Sequence, residues 1–418
     1  MGELGSLTED RLKGKFGGDC KTTGNVTIKG MTAMTDKMLS AGLSRRTFLQ
    51  VSAAGIVGAT TLGGIGNAFA ASYDNFTWIS PRGSLEVLDD YGLWVGKKMG
   101  YFGDLKFDTQ PGPSDGTATV KFVDVGQADM GYPSPGVFSF ALENGMKLKS
   151  VFHMGALDTF SLAFRKGEGT NDLKTLEGKT ILLGSAAWQS IVDPMLAVQG
   201  VDISKVKYVE AGWPTWGTAL AAGQGDAALS WEGLRAEWIG SGLDFEYWLG
   251  VQKSPLFANT FAIRAADVED ADKKDYLGKY LRGWAMGMEF AYNNPRAAVE
   301  IVFEQFPTLA SNIGPDLGTV SILQQLAVNR GDMSKRAGWG DHDMTAWQTF
   351  FDKIHELGQV TKEFKAEDIA TNELVAAAND FDHAKVKADA DAYTLSEAFA
   401  ALDVESIKAG LYDQAVAS

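Results

Sequence analysis

Residues 178–233 read GKTILLGSAAWQSIVDPMLAVQGVDISKVKYVEAGWPTWGTALAAGQGDAALSWEG, and the rhythm inside this stretch decides the fold. A short apolar run at 180–183 ends in a Gly-Ser turn, and a helical pattern follows over 188–198, so a strand feeds a helix N-terminus. Free backbone N–H groups and the positive end of the helix dipole at such a junction can hold an anion or a polar head group. A second strand-like run at 206–210 ends at Ala211-Gly212-Trp213-Pro214-Thr215-Trp216, and a third at 226–230 ends at Trp231-Glu232. Three strand ends of one sheet thus carry Trp188, Trp213, Trp216 and Trp231, with one carboxylate, to one edge. In open α/β sheets the crevice outside the carboxyl ends of the strands is where ligands bind.

Upstream the same alternation recurs. Strand patterns at 76–80, 105–109 and 128–131 are separated by helical patterns at 85–99 and 117–125, which implies parallel pairing in a sheet covered on both faces. Two of these strands deliver Ser80 to Gly83 and Tyr132-Pro133-Ser134-Pro135 to their ends. Runs at 148–154 and 161–165 lead to Lys166-Gly167-Glu168-Gly169, a polar segment suited to crossing between lobes. A strand at 245–249 closes the second block, 260–264 reads as a return strand, and the second crossing is expected near Asn259. The expected organisation is a leader at 1–71, a first lobe at 72–166, a second lobe at 167–259, and a return to the first lobe with C-terminal helices at 260–418. Two crossings make a hinge, and a cleft able to close on a ligand. From Lys273 onward Leu277, Leu281, Trp284, Met288 and Ala291 form an apolar stripe that predicts core packing. Asn294-Pro295 predicts a cap and start for the next helix, and the later helical runs are expected to wrap the first lobe.

The chain of 418 residues carries a formal net charge of −15. Eight Lys or Arg against five Asp or Glu in residues 1–70 leave 30 basic and 48 acidic residues in the rest, a net −18. Nucleic-acid binding would need a basic face, so no nucleic-acid partner is expected. Ser44-Arg45-Arg46-Thr47-Phe48-Leu49 has the form of a twin-arginine export motif, followed by an Ala- and Gly-rich apolar run at 51–66 and a small-residue cleavage site at Ala68 and Ala70. The mature chain is expected to start near Ala71 or Ser72, and Met31, Met34 and Met38 are alternative starts. Cys20 is the single cysteine, and it lies in that leader. Disulfides, thiolate metal sites and cysteine nucleophiles are therefore not expected after processing. His153, His342, His355 and His383 have no metal-ligand spacing, and no nucleophile elbow, Walker sequence or paired catalytic carboxylates stand out. No cofactor and no metal are expected.

Several motifs in order resemble one known family. They are Gly100-Tyr101-Phe102, Gly126-Gln127-Ala128-Asp129-Met130-Gly131, Leu176-Glu177-Gly178-Lys179, Gly223-Gln224-Gly225-Asp226-Ala227 with Trp231-Glu232, and Thr371-Asn372-Glu373-Leu374. Together, over about residues 74 to 382, they resemble the periplasmic solute-binding proteins of ABC importers that handle nitrate, sulfonates, taurine and thiamine-pyrimidine precursors. The resemblance implies a type II binding-protein fold, an α/β chain in two lobes joined by two hinge crossings. It also implies a small-molecule solute clasped between the lobes by a monomeric, non-enzymatic protein and passed to an inner-membrane permease.

The family's ligand-contacting positions fall just after strands, which here map onto Arg82, Tyr132, Pro133, Ser134, Ser185, Trp188, Gln189, Trp213, Trp216, Trp231 and Glu232. Each has a plainer reading. Arg82 pairs a carboxylate or sulfonate, or is a solvated turn residue. Ser134 and Ser185 give hydroxyls to a ligand, cap helices, or do both. Either Trp213 or Trp216 serves packing, and the helix dipole alone explains Glu232. Four indoles exceed what a bare oxyanion asks for, so the expected solute is organic, with an aromatic, heteroaromatic or cationic part. Two other classes stay open. One is a pyrimidine-synthesising enzyme on the same fold, whose cysteine-rich motif and iron-binding histidines are not found here, and the other is a ligand-sensing receptor subunit.

Overall fold

A computed structural model describes residues 73–113 and 116–417. The leader at 1–71, with the twin-arginine motif, the cleavage site and Cys20, lies outside the described residues. Two five-stranded sheets carry the fold. In the first, β1 (Phe76–Ile79) pairs in parallel with β2 (Phe107–Gln110) and β3 (Met130–Gly131). The order is completed by β4 (Leu148–Phe152) at the far edge and by β10 (Phe261–Arg264), antiparallel between β3 and β4. The second sheet runs β7 (Lys207–Glu210), β6 (Thr180–Leu183), β8 (Ala227–Trp231), β5 (Phe160–Arg165), β9 (Phe245–Leu249). Its antiparallel member is β5. In each sheet the antiparallel strand is therefore the one the chain adds after or before visiting the other sheet. This exchange produces two lobes joined by two crossings, the type II binding-protein arrangement.

The first crossing lies between β4 and β5, over 153–159, earlier than the expected Lys166–Gly169. Residues 160–165 belong to the second sheet because they pair with both β8 and β9. A continuous apolar strand does not reveal from sequence which of two sheets it joins. The second crossing, between β9 and β10, contains Asn259. The two crossings are tied to each other: the Gly155 amide donates to the Asn259 carbonyl at 2.9 Å, and the Ala258 amide donates to the Gly155 carbonyl at 2.8 Å. Gly155 has to be glycine, since a Cβ there would collide with the Ala258 methyl.

Expected helices form with shifted ends. The pattern at 85–99 yields a helix only over Tyr91–Lys98. Arg82 explains the loss of the first turns: its guanidinium holds the buried Asp90 carboxylate at 3.2 Å. Asp90, at the cap position, is thereby drawn inward. The stripe Leu277, Leu281, Trp284, Met288 and Ala291 lies in the core on the helix Ala271–Asn293. Asn294 caps the helix Pro295–Gln305 by accepting from the Ala297 amide.

The chain beyond 260 is not confined to the first lobe, as had been expected. The helix Pro307–Arg330, kinked at Gly314, meets the second lobe through hydrogen bonds. The Gly233 amide donates to Gln324 Oε1 at 3.2 Å, and Ser321 Oγ donates to the Gly233 carbonyl at 3.2 Å. The last residues return to the second sheet too. The Val416 amide donates to the Tyr247 carbonyl at 2.8 Å, and the Tyr247 amide donates to the Gln414 carbonyl at 2.9 Å. This covers the open edge of β9, whose unpaired backbone groups would otherwise invite pairing with another chain. Among the described residues no helix is long and apolar enough to cross a membrane.

Candidate functional site

The carboxyl ends of β1, β3, β6 and β8 face one another across the gap between the lobes, and a cavity of about 80 Å³ lies there. That is room for a few waters or a small organic solute. The first lobe supplies Pro81, Arg82, Asp89, Tyr132, Pro133 and Ser134. The second supplies Phe160, Trp188, Ile191, Leu229 and Trp231, the crossings supply Gly155, Thr159, Ala258 and Asn259, and the helix Pro307–Arg330 supplies Gln325, Val328 and Asn329.

Local sequence accounts for the placements. Ser134 caps the helix Pro135–Glu143 by accepting from the Val137 amide at 3.4 Å, which sets Tyr132 and Pro133 at the rim. Trp188 ends a single 3-10 turn, Ala186–Trp188, before the helix Gln189–Val198 begins. The four strand-end indoles form one cluster. Trp188 meets Trp231 edge-on at 5.8 Å, and Trp213 stacks on Trp231 at 6.0 Å. Trp216 sits beneath them, 5.0 Å from Trp213, fully buried with its Nε1 donating to the Leu229 carbonyl at 2.7 Å. Trp188 and Trp231 thus face the cavity, while Trp213 and Trp216 back them.

Of the residues expected from strand ends, Arg82, Tyr132, Pro133, Ser134, Trp188 and Trp231 line the cavity. Ser185, Gln189, Trp213, Trp216 and Glu232 stand outside the lining. Gln189 is exposed and its amide donates to Asp193 Oδ2 at 3.2 Å. Glu232 is sealed in the second lobe, where its Oε2 accepts from Arg235 at 2.7 Å with both side chains fully buried. Arg235 also lies over the Tyr247 ring, 5.6 Å from its centre. The sequence reading missed Asp89, Thr159, Asn259, Gln325 and Asn329. A usable signal exists for two of them: Gln325 and Asn329 are polar residues four apart on a helix whose neighbours Ile322, Leu326 and Val328 are buried.

The site's electrostatics centre on Arg82. Its guanidinium lies 3.2 Å from Asp90 and 3.7 Å from Asp89, and 5.8 Å from the centre of the Tyr132 ring. Asp89 also accepts from the Gln325 amide, whose Nε2 donates to the Glu232 carbonyl at 2.6 Å as well. Burial raises the Asp89 carboxyl, lifts Asp90 to about 6, and lifts Glu237, on the facing helix Leu234–Gly240, to about 8.

A second polar cluster invites a catalytic reading. Ser150 Oγ is 2.6 Å from His342 Nε2, and His342 Nδ1 is 2.7 Å from Asn372 Oδ1. Ser150 is fully buried within the first sheet and also bonded to Thr260, so no substrate carbonyl can reach it. Burial lowers the His342 ring to about 4 and keeps it neutral. Among the described residues no group of three or more His, Cys, Asp or Glu side chains is placed to hold a metal ion.

Solved structures share this architecture. The alkanesulfonate-binding protein SsuA from Xanthomonas axonopodis pv. citri, bound to MOPS, aligns with TM-score 0.55 at 14% identity, covering 72% of this chain and 100% of its own. The ligand-binding component of an ABC-type import system from Staphylococcus aureus, with zinc bound, aligns with TM-score 0.54 at 13% identity, covering 73% and 99%. The periplasmic nitrate-binding protein NrtA from Synechocystis PCC 6803 aligns with TM-score 0.53 at 11% identity, covering 82% and 98%. At these identities the likeness is one of fold. No curated protein matches the sequence. The sequence does match the family described as NMT1/THI5 like over residues 89–298, half of the chain and the span that holds both crossings. The chain belongs to the NMT1/THI5-like family.

Proposed function

We propose that this protein is the exported solute-binding component of an ABC importer, capturing a small organic solute between its lobes and presenting it, unaltered, to a membrane permease. One observation carries the reading: the cavity is walled from both lobes and from both crossings, so a bound solute ties together parts that a hinge motion would separate. Such a solute adds its binding free energy to the closed form alone. Arg82, Tyr132, Pro133, Ser134, Trp188 and Trp231 are the proposed contacts from strand ends, joined by Asp89, Asn259 and Gln325. The domain division follows the sheets, with the hinge at 153–159 and 250–260. The leader would send the chain to the periplasm by the twin-arginine route. The alkanesulfonate, nitrate and ABC-import associations of the structural relatives agree with this role, and the sealed Ser150 cluster gives an enzyme reading no reactive group.

The test is to denature purified protein, identify any released small molecule by mass spectrometry, and titrate refolded protein by calorimetry with a panel of sulfonates, aromatic acids, pyrimidines and amines. A solute bound one-to-one is expected. Silence across the panel, with nothing released on denaturation, would overturn the proposal.

A further inference from the structure

We infer that the solute of this cavity carries a positively charged N–H group, an ammonium or a protonated ring or amidine nitrogen, seated against Asp89 and Asn259 with its carbon body on the indoles of Trp188 and Trp231. The inference rests on the solute-binding reading above and narrows it to a ligand class.

The first ground is the charge already in place. Arg82 and Asp89 are the charged residues of the lining. An arginine facing a cleft would ordinarily point to a carboxylate or sulfonate. Here its NH2 group already lies 3.2 Å from Asp90 and 3.7 Å from Asp89. One cation faces two carboxylates. An anionic solute would place a further negative charge beside this cluster in a poorly hydrated space, where like charges repel most strongly.

The second ground is independent of charge: an amide acceptor is left unmet at the cavity. Asn259 Oδ1 is buried with no partner, while its Nδ2 donates to the Tyr132 carbonyl at 3.2 Å. That bond fixes the amide's orientation, because only the nitrogen side can donate to a carbonyl. Thr159 Oγ1, a hydroxyl that can accept or donate, is likewise buried without a partner. Of the neighbouring amides, Gln325 Nε2 donates to Asp89 and to the Glu232 carbonyl, and Asn329 Nδ2 donates to the Tyr91 hydroxyl at 3.0 Å. A buried acceptor left unmet costs free energy, and a solute that donates removes that cost. A sulfonate or nitrate offers no donor.

The third ground is the aromatic lining. Tyr132, Phe160, Trp188 and Trp231 present rings to the cavity, and aromatic faces attract cations while repelling anions. Charge, the unmet amide acceptor and ring faces therefore select the same solute chemistry.

The experiment is calorimetry on the purified protein with three probes of nearly equal shape: benzylammonium, benzyl alcohol and benzoate. Benzylammonium is expected to bind about tenfold or more tightly than either of the others, the usual worth of a hydrogen bond to a charged group. Asp89→Asn is expected to remove most of that advantage, read as the ratio of the benzylammonium to the benzyl alcohol affinity in the same variant. Asn259→Ala, which touches no charge, provides a second variant and is expected to reduce the same preference should Asp89→Asn not fold. Benzoate binding as tightly as benzylammonium, or a preference that survives whichever of the two variants folds, overturns the inference. Binding of benzoate without benzylammonium sinks the cationic class and leaves a solute receptor standing. Failure of all three probes together with the broad panel, with nothing released on denaturation, sinks both.

Discussion

Glu232 and Arg235 show how a residue in a functional position can be claimed by the fold. Both side chains are fully buried, 2.7 Å apart, and Arg235 keeps Nε and NH1 without partners. Glu232→Gln would leave that guanidinium charged and uncompensated in the second lobe. The expected cost is about 3–5 kcal/mol, read as a lower denaturant midpoint with an unchanged slope, and the double variant Glu232→Gln, Arg235→Met should recover most of it. A single variant as stable as the wild type would mean that the pair is not closed in solution. This pair also explains where strand-end reasoning falls short at the residue scale. Trp188 and Trp231 are legible because a large aromatic at the mouth of a parallel strand has few other uses. Glu232 sits one residue further along β8's exit, and a single position decides between cavity and core. Asp89 was hidden for a different reason: its helical period reads as one more polar position on an amphipathic helix, and only the Arg82 contact turns that segment out of the helix.

At the scale of elements, the helix Pro135–Glu143 of the first lobe presses on the helix Gln189–Val198 of the second. Gly136 marks the contact, since a Cβ there would collide with the Ser190 carbonyl. Gly136 lies outside the cavity lining, so Gly136→Val tests closure without altering a solute contact. It is expected to hold the lobes apart, weaken solute binding by roughly tenfold, about 1.4 kcal/mol, and enlarge the radius of gyration in small-angle scattering, while each lobe keeps its fold. Unchanged affinity would mean that this contact is not needed for closure. The elements themselves were mostly legible, because β6, β8 and β9 are short apolar runs between turn residues and Asn294-Pro295 is a strong helix start. What the period of the sequence does not encode is partnership. Strand β5 reads equally well in either sheet, and the helix Pro307–Arg330 gives Ile322 and Leu326 to the first lobe's core and Val328, Ser321 and Gln324 to the second lobe, while Gln325 bonds to both. Long-range pairing settles both, and it is invisible to local pattern.

At the scale of the whole molecule, the two lobes meet across buried carboxyls, which makes stability depend on pH and, under the proposed hinge, closure as well. Burial lifts Asp90 to about 6, Asp158 to about 7 and Glu237 to about 8, against unfolded values of about 4. An acid whose folded pKa is raised gives its full contribution to stability below the unfolded value and loses it as pH rises through the folded one. The buried histidines act oppositely. His342 is lowered to about 4 and His153 is also lowered by burial, so their contribution is present above about pH 6.5 and lost as pH falls. Between about pH 4 and 6 the three carboxyls outweigh the two histidines, so the balance of these groups makes the unliganded protein most stable near about pH 4. As pH climbs it loses about 1.4 kcal/mol per pH unit for each carboxyl still carrying its extra proton, offset by the same amount for each histidine up to about pH 6.5. Two such groups, Asp158 and Glu237, act between about pH 6 and 7, and Glu237 alone between about pH 7 and 8. Glu237 belongs to the second lobe, and its charged neighbours Asp89 and Arg82 belong to the first. Its ionisation places like charges across the cleft, so the alkaline limb should coincide with a more open molecule. Denaturant midpoints and scattering radii at pH 6, 7, 8 and 9 check this, and Glu237→Gln should flatten both curves above about pH 7. A wild-type protein equally stable and equally closed from pH 6 to 8 would mean that Glu237 is hydrated, and that water, not the facing lobe, fills the space around it.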